Sequence, residues 1–550
     1  MAYDILFITS PANGISLASQ DKKETFVQRV FPPLGVISLA CNLKKYLPDI
    51  HIEHIDFNIE NPSLLADQKY TTQKIKEKLT DKPIIVCISI MMSSSYSFIP
   101  LLLKSIKQAC PDAIIICGGT HTTAKGHKML EIHPEINYVV CGEGEEAFPN
   151  LCMCIINDNT IEIQGVHSRD NMHFNNSGLL ECSPFVKNID IPFHLYSQFP
   201  GFEEYCQQSS IFSLSQGAFG EHAFAVMASR GCPVRCSFCA SGLVHGSRPR
   251  WRSLENIQGE MMWLHEHHKV TKFYIMDDNF IPKEKTLSLF KMFSELPIQG
   301  LEIVIQNMSV NHTDFEIIDA LIKAGVTYLP LAIESGVPEM QKKMGKYCNL
   351  EKAKKLVSYA QSKNLQVRCF YILGFPGETV EEMNETIRFA SEMDADWSTF
   401  SVALPFPGTR MYEEFIKLGY MDDTMEAWKA TNIRERTFDT KEISAQKVME
   451  IAYRANLNIN FVHNRLIREG MYKEAENIFK NFIFEIDFHL FAFDCLRRIY
   501  GLTGRKKDEQ QTIDHMIHLF KNNPRSRELK KYFDLLDFDI SQKLERSVAE

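Results

Sequence analysis

Short, wholly apolar runs alternate with stretches of helical periodicity through the first part of the chain. Residues 4–8 (Asp-Ile-Leu-Phe-Ile), 51–56, 84–90, 113–117 and 138–141 read as strands. Continuous apolar character of that kind belongs to parallel strands buried on both faces. Phe31-Pro32-Pro33-Leu34-Gly35 introduces a helix running to about Tyr46, and 101–108 reads as another helix. This alternation predicts a doubly wound, Rossmann-like parallel sheet over residues 1–150. Ligands of such sheets lie beyond the carboxyl ends of the strands. Those ends carry Asp56-Phe57-Asn58, Ser89-Ile90-Met91, Gly118-Gly119 and Gly142-Glu143-Gly144-Glu145.

The pattern weakens over 151–220. Residues 161–166 and 178–182 read as short strands and 188–192 as an extended linker. The stretch 196–220, rich in Gly, Ser, Phe and Gln, reads as a connector lying over a site. Periodicity returns near Phe224. A helix is expected at 254–268, strands at 272–276, 301–306, 328–333, 366–373 and 397–404, and a further helix at 314–324. The strands end in Asp277-Asp278-Asn279, Glu334-Ser335-Gly336, Gly374-Phe375-Pro376-Gly377-Glu378 and Pro405-Phe406-Pro407-Gly408-Thr409. Six strand–helix units in a row predict a partial (β/α)6 barrel over 221–425, with its chemistry at the carboxyl strand ends. Residues 426–550 read as a helical C-terminal domain with helices at 445–465, 472–483, 490–500 and 508–521. The charged stretch 541–550 is expected to fray.

Composition narrows the class. The 550 residues correspond to roughly two to four domains. Hydrophobic content of 45% and charged content of 23% indicate a globular chain, and the net charge of −9 argues against a general nucleic-acid binder. No apolar run reaches the length of a membrane span and no secretory signal is visible, so a cytoplasmic location is expected. Fifteen cysteines in such a chain suit a reducing compartment.

The candidate chemistry centres on Gly231-Cys232-Pro233-Val234-Arg235-Cys236-Ser237-Phe238-Cys239. Thiolates suit zinc or iron–sulfur clusters, and those sites ordinarily take four protein ligands. The next cysteine is Cys348, and His245 fits no usual zinc spacing. Inert buried cysteines are the alternative, but Gly231, Pro233 and Arg235 are loop residues. Three thiolates in one tight loop can hold three irons of a [4Fe–4S] cluster and leave the fourth open.

With its CxxxCxxC spacing after the strand-like 223–228, this loop resembles that of the radical S-adenosylmethionine (SAM) enzymes. The resemblance implies that Cys232, Cys236 and Cys239 ligate the cluster and that the open iron binds SAM. Asp277, Asp278 and Asn279 stand where the family contacts the SAM amino group. Glu334 and Ser335 resemble the segment near the ribose, and Gly374 with Pro376 the turn that approaches the adenine. No catalytic residue is assigned beyond the cluster. The N-terminal strand ends resemble those of cobalamin-binding domains, with Asn58, Ser89, Gly118 and Gly119 as the candidate contacts. Asn58 stands where many such domains carry a cobalt-ligating His, so no lower imidazole ligand is expected from that position.

Together the two resemblances identify a cobalamin-dependent radical SAM enzyme. The implied reaction is methylation of an unactivated carbon of a small molecule or lipid, through a 5′-deoxyadenosyl radical and methylcobalamin. An electron donor such as flavodoxin or ferredoxin is implied as partner. Cyclisation or ring rearrangement without methylation, and a cobalamin- or redox-responsive binding protein, remain the other two readings.

Overall fold

The computed structural model describes residues 3–12, 31–207, 222–430 and 436–549. The N-terminal sheet is built from β1 (Asp4–Thr9), β2 (His51–Asp56), β3 (Ile84–Ser89), β4 (Ile114–Gly118), β5 (Tyr138–Val140) and β6 (Val166–His167), in the order β2-β1-β3-β4-β5-β6. Asp4 pairs in parallel with both His51 and Ile84, and only β6 runs antiparallel. Strand order reverses at β1, which places a crevice beyond its carboxyl end. Within β1 the pleat sends Ile5 and Phe7 to one buried cluster and Leu6 and Ile8 to another. Both faces are therefore covered by helices, which is why the run reads as continuously apolar.

The expected strand at 161–166 is absent except for its last residue, and 178–182 contributes one isolated bridge, Phe174 to Leu180. Single bonds hold this region instead of a ladder: Cys141 N donates to Gly165 O at 2.8 Å and Ser183 N to Cys141 O at 2.9 Å. Gly165, with φ +85°, lies so close to Ser183 N that a Cβ would sit 2.2 Å away.

The described part of the 196–220 connector is a wedge rather than a cover. A 3-10 turn, Phe193–Gln198, and a helix, Phe202–Gln207, bury Tyr196, Phe199, Phe202 and Tyr205 between the two α/β units. Each such side chain contributes roughly 1.5–3 kcal/mol by leaving water. Polar tips are satisfied on both sides: Tyr196 donates to Glu260 at 2.5 Å and Tyr205 to Asp56 at 2.8 Å. Residues 208–221 lie outside the described residues.

The barrel strands are β7 (Ala223–Val226), β8 (Ser229–Arg230), β9 (Arg250–Trp251), β10 (Lys272–Ile275), β11 (Glu302–Ile305), β12 (Met308–Ser309), β13 (Tyr328–Glu334), β14 (Gln366–Leu373) and β15 (Trp397–Val402). Two parallel ladders, β11-β10-β7 and β12-β13-β14-β15, meet at the single bridge Ile303–Val326, while β8 and β9 form their own antiparallel pair. Leu329, Leu331 and Ile333 face the surrounding helices, as do Val367 and Cys369. Tyr274, Val304 and Tyr328 form a separate cluster on the inner face.

After the barrel the helix Met425–Ala430 returns to the N-terminal unit, where Trp428 is fully buried. The C-terminal helices share their own apolar cluster. The tail does not fray: Phe538–Ala549 is a helix with Ile540 and Leu544 buried, one turn apart on the same face. Among the described residues, no helix is long and apolar enough to cross a membrane.

Candidate functional site

The cysteine loop leaves β8 through Gly231. At φ +95° this residue lies in the left-handed region, and a Cβ there would meet Arg248 O at 2.6 Å. Only glycine suits both demands. Backbone bonds then anchor the loop on several sides. Cys232 N donates to Gly246 O at 3.2 Å, Ser237 N to Met344 O at 2.8 Å, and Met411 N to Ser237 O at 2.9 Å. Cys239 is exposed, while Cys232 and Cys236 are half-buried. Burial pushes the Cys236 thiol up to about 12, and the charges of Cys239 and Cys232 add to the rise. Thiols so placed become thiolates when a cation binds them, which is the electrostatic situation an iron cluster relieves. Among the described residues, no three His, Cys, Asp or Glu side chains close tightly enough for a single metal ion. A cluster presents its irons at separate corners and suits a looser set of three thiols.

The two aspartates after β10 brace this loop from behind. Asp277 accepts Ala228 N at 2.7 Å and the Ser229 hydroxyl. Its burial pushes the carboxyl up to about 7. Asp278 accepts Gly231 N at 3.0 Å and is 2.9 Å from His245 Nδ1. Burial works to raise Asp278, but His245 and its other hydrogen-bond partners hold it below the ordinary carboxylate value. Asn279 Nδ2 lies 3.6 Å from Cys232 Sγ. The oxygens of Asp277 are thus committed within the protein, whereas Asp278 and Asn279 lie beside the loop itself.

Glu334 ends β13 at φ +71°, where the β13–β14 register shifts between Ala332 and Glu334. A non-glycine residue held there costs about 1–3 kcal/mol, and such strain clusters at functional sites. Its buried carboxylate pairs with Lys346 Nζ at 3.2 Å. Both charges act on Cys236, so the pair lies beside the cysteine loop. Sequence reasoning passes over Lys346, because nothing local distinguishes a lysine in the turn after Met344-Gly345. Ser335 is turned inward, 3.0 Å from the Thr386 hydroxyl and accepting Val337 N at 3.1 Å. Gly374 N and Phe375 N donate to Glu378 Oε2 at 2.5 and 3.0 Å, and Gly374 O accepts Arg436 Nη1 at 2.7 Å. Gly374 therefore backs onto Arg436 and Val448, and its turn with the buried Pro376 is fixed from outside the barrel.

At the N-terminal sheet, Asn58 closes the turn after β2. Its amide donates to Asp56 Oδ1 at 3.0 Å and accepts Ala12 N at 2.7 Å. Ser89 O, at the end of β3, accepts both Ser10 N and Ser10 Oγ. Gly119 lies at φ +99°, and a Cβ there would meet Ile90 O at 2.7 Å, so the close packing of the chain just after β3 requires glycine at this position. Gly118 sits beside it, its carbonyl accepting Ile90 N at 2.8 Å. Nearby, His121 Nε2 and Ser95 Oγ are buried without a hydrogen-bond partner. Unspent buried polar atoms beside a strand-end crevice fit a polar ligand. Gly408 closes the gap to the barrel: a Cβ there would meet Leu243, just after the cysteine loop, at 2.6 Å, and Ala124 in the helix Thr120–Ile132 at 3.1 Å.

The two strand-end regions thus face each other across the join. The Radical SAM superfamily model matches residues 226–390, and the B12 binding domain model matches residues 27–152. The chain thus carries both a radical SAM domain and a B12-binding domain. Its cofactors are a [4Fe–4S] cluster, SAM and cobalamin. An uncharacterized methyltransferase of Pyrococcus horikoshii is 28% identical over 455 residues, covering 81% of this chain and 92% of the relative. Cytidylyl-2-hydroxyethylphosphonate methyltransferase of Streptomyces wedmorensis is 27% identical over 476 residues, covering 79% of this chain and 87% of the relative. The radical SAM methyltransferase TsrM from Kitasatospora setae shares the fold, with TM-score 0.57, 17% identity and 76% of each chain covered.

Proposed function

We propose that this cobalamin-dependent radical SAM enzyme methylates an unactivated carbon of a small molecule or lipid, drawing electrons from an external one-electron donor. The observation that carries the reading is that the residues flanking the cysteine loop, Arg230 and Leu243, meet Glu145 and the helix of Ala124, which follow the carboxyl ends of the N-terminal strands. When bound, the cluster and SAM supply a radical able to take hydrogen from carbon, and cobalamin supplies the methyl group. The methyltransferase names of two relatives that span most of the chain support this choice.

In this reading Cys232, Cys236 and Cys239 hold the cluster. Lys346 and Glu334 present opposite charges beside it, matching the carboxylate and ammonium ends of the SAM amino acid. Asp278 and Asn279 fix the loop's approach to that end. Asp277 and Ser335, their polar atoms already engaged, shape the site without touching the cofactor. The Gly374–Pro376 turn presents a rigid wall. Ser89, Gly118 and Gly119 end their strands at the N-terminal crevice, and Asn58 holds the β1–β2 turns instead of ligating cobalt. The buried join between the units excludes water from reactive species.

Anaerobic reconstitution followed by reduction and addition of SAM tests the reading. Formation of 5′-deoxyadenosine, with a product one methyl heavier than its substrate, is expected; an unchanged product mass would move the assignment to cyclisation or rearrangement. Cys236→Ala should leave the chain folded but lower its iron from the roughly four per chain of a [4Fe–4S] site. Undiminished iron in that variant would overturn the ligand assignment.

A further inference from the structure

The Gly142-Glu143-Gly144-Glu145 turn includes none of the residues assigned to cofactors above, yet it brings a buried carboxylate, Glu143, and a half-buried one, Glu145, to the join. Glu143 is 5% exposed. Arg250 grips it with both terminal nitrogens, Nη1 to Oε2 at 2.7 Å and Nη2 to Oε1 at 2.6 Å. Arg230 Nη1 lies 3.3 Å from Glu143 Oε1 and its Nη2 2.6 Å from Glu145 Oε1. Val186 N adds a bond to Glu143 Oε2 at 2.8 Å.

The arginines come from the barrel side, and their placement needs an explanation. Arg230 and Arg250 are direct partners across the β8–β9 ladder. Directly opposite residues of an antiparallel pair share one face, and like charges there repel. A short ladder carrying that pair is therefore stable only when carboxylates reach it, and here they arrive from the other unit. The ladder also bounds the cysteine loop. Arg230 immediately precedes Gly231, and Arg250 Nη2 donates to His245 O at 3.0 Å. The adjacent Gly246 O accepts Cys232 N. Three hydrogen bonds, through Arg250 and the His245–Gly246 peptide, thus connect Glu143 to the backbone of the first loop cysteine.

We propose that Glu143, gripped by Arg230 and Arg250 with Glu145 beside it, is a positioning residue that fixes the cysteine loop in one orientation against the carboxyl edge of the N-terminal sheet. This rests on the functional reading above, since it matters only if both sides carry a cofactor. A bidentate guanidinium–carboxylate pair constrains angle as well as distance, which a single contact cannot do. Removing it leaves both cofactor pockets intact but lets their mutual orientation spread.

The full-length protein, reconstituted with iron and sulfide and loaded with cobalamin, provides the test. Reduction to a stage where both cob(II)alamin and the cluster are paramagnetic allows their spin–spin coupling to be measured by pulsed electron paramagnetic resonance. Wild type should show one narrow coupling. Glu143→Gln should load both cofactors and form 5′-deoxyadenosine from SAM within about twofold of wild type, a change too small to signal lost transition-state contacts. Its coupling should broaden into a distribution, with the charge-retaining Arg250→Lys in between. Glu145→Gln, which leaves the bidentate pair in place, gives a second variant with a milder broadening and decides the matter if Glu143→Gln does not fold. A wild-type coupling in the folded variants, or loss of cofactor loading in step with any broadening, would overturn the proposal. A wild-type protein that takes up no cobalamin would instead remove the functional reading, and this proposal with it.

Discussion

Asp277 and Asp278 are neighbours with opposite electrostatic fates. Burial raises the first to about 7, while hydrogen bonds outweigh burial at the second and lower it. Nothing in the dipeptide distinguishes them; the difference lies in which way each side chain leaves the strand end. Three histidines show the same dependence on surroundings. His54, His121 and His489 are buried, and burial brings each down to about 3. Their folded values lie below the unfolded value of about 6.5, so on acidification the unfolded chain takes up protons first. Stability is complete above about pH 6.5 and falls as pH drops from there towards 3, by up to about 1.4 kcal/mol per pH unit for each histidine. Urea midpoints measured from pH 7 down to pH 5 should fall, and His489→Phe should remove one histidine's share of the slope. A flat profile over that range would contradict the burial of these rings. At this scale the sequence showed the cysteines and glycines of the loop, whose spacing is local. It could not show Glu143 and Arg250, which are 107 positions apart.

Elements solve problems that only their neighbours create. β15 ends its ladder, and its outer backbone groups need partners. Two asparagines of the adjoining helical segment provide them. Asn460 accepts Ser398 N at 2.7 Å and donates to Ser398 O at 2.6 Å. Asn456 does the same for Phe400, at 3.1 and 2.9 Å. The helix Ala445–Leu457 and the π turn Asn458–Val462 that follows it thereby finish the sheet as a strand would. The last helix, Phe538–Ala549, is the opposite case: charged composition suggested fraying, but Ile540 and Leu544 seal the C-terminal cluster. Leu544→Ala should cost about 2–5 kcal/mol in the unfolding of the C-terminal helices. Denaturant titration checks this, and a change below about 0.5 kcal/mol would be the result of a solvated tail.

Across the whole molecule, the units are joined by segments that cross back. Trp428 follows the barrel in sequence but lies within the apolar cluster of the N-terminal sheet, edge-on to Tyr96 and His121. Its indole donates to Tyr412 Oη at 3.0 Å and to Asp423 Oδ1 at 2.9 Å. Asp423 in turn receives Lys125 at 2.9 Å and Lys128 at 2.7 Å. Trp428→Ala should cost about 3–5 kcal/mol at this contact. It should appear as a protease-sensitive site between residues 410 and 430 and as earlier melting of the N-terminal unit. A single unfolding transition and a cleavage pattern both identical to wild type would show that the contact does not hold the units together.

Strand and helix identity, the glycine turns and the three-cysteine loop were determined by the sequence alone, because each depends on side chains close together along the chain. Hydrophobic period and turn chemistry are local properties, and they survive any arrangement of the units. Tertiary structure decided which of the polar strand-end groups are still available. Asp277, Ser335, Gly374 and Asn58 read as open polar or flexible positions, yet each is engaged by a partner within the fold. Lys346 carries no signal in the sequence and Glu143 only a place in a strand-end turn, yet the first is paired with Glu334 beside the cysteine loop and the second with Arg250 at the join. A buried hydrogen bond or ion pair is set by distance in space, and the chain that brings its two ends together is the whole fold.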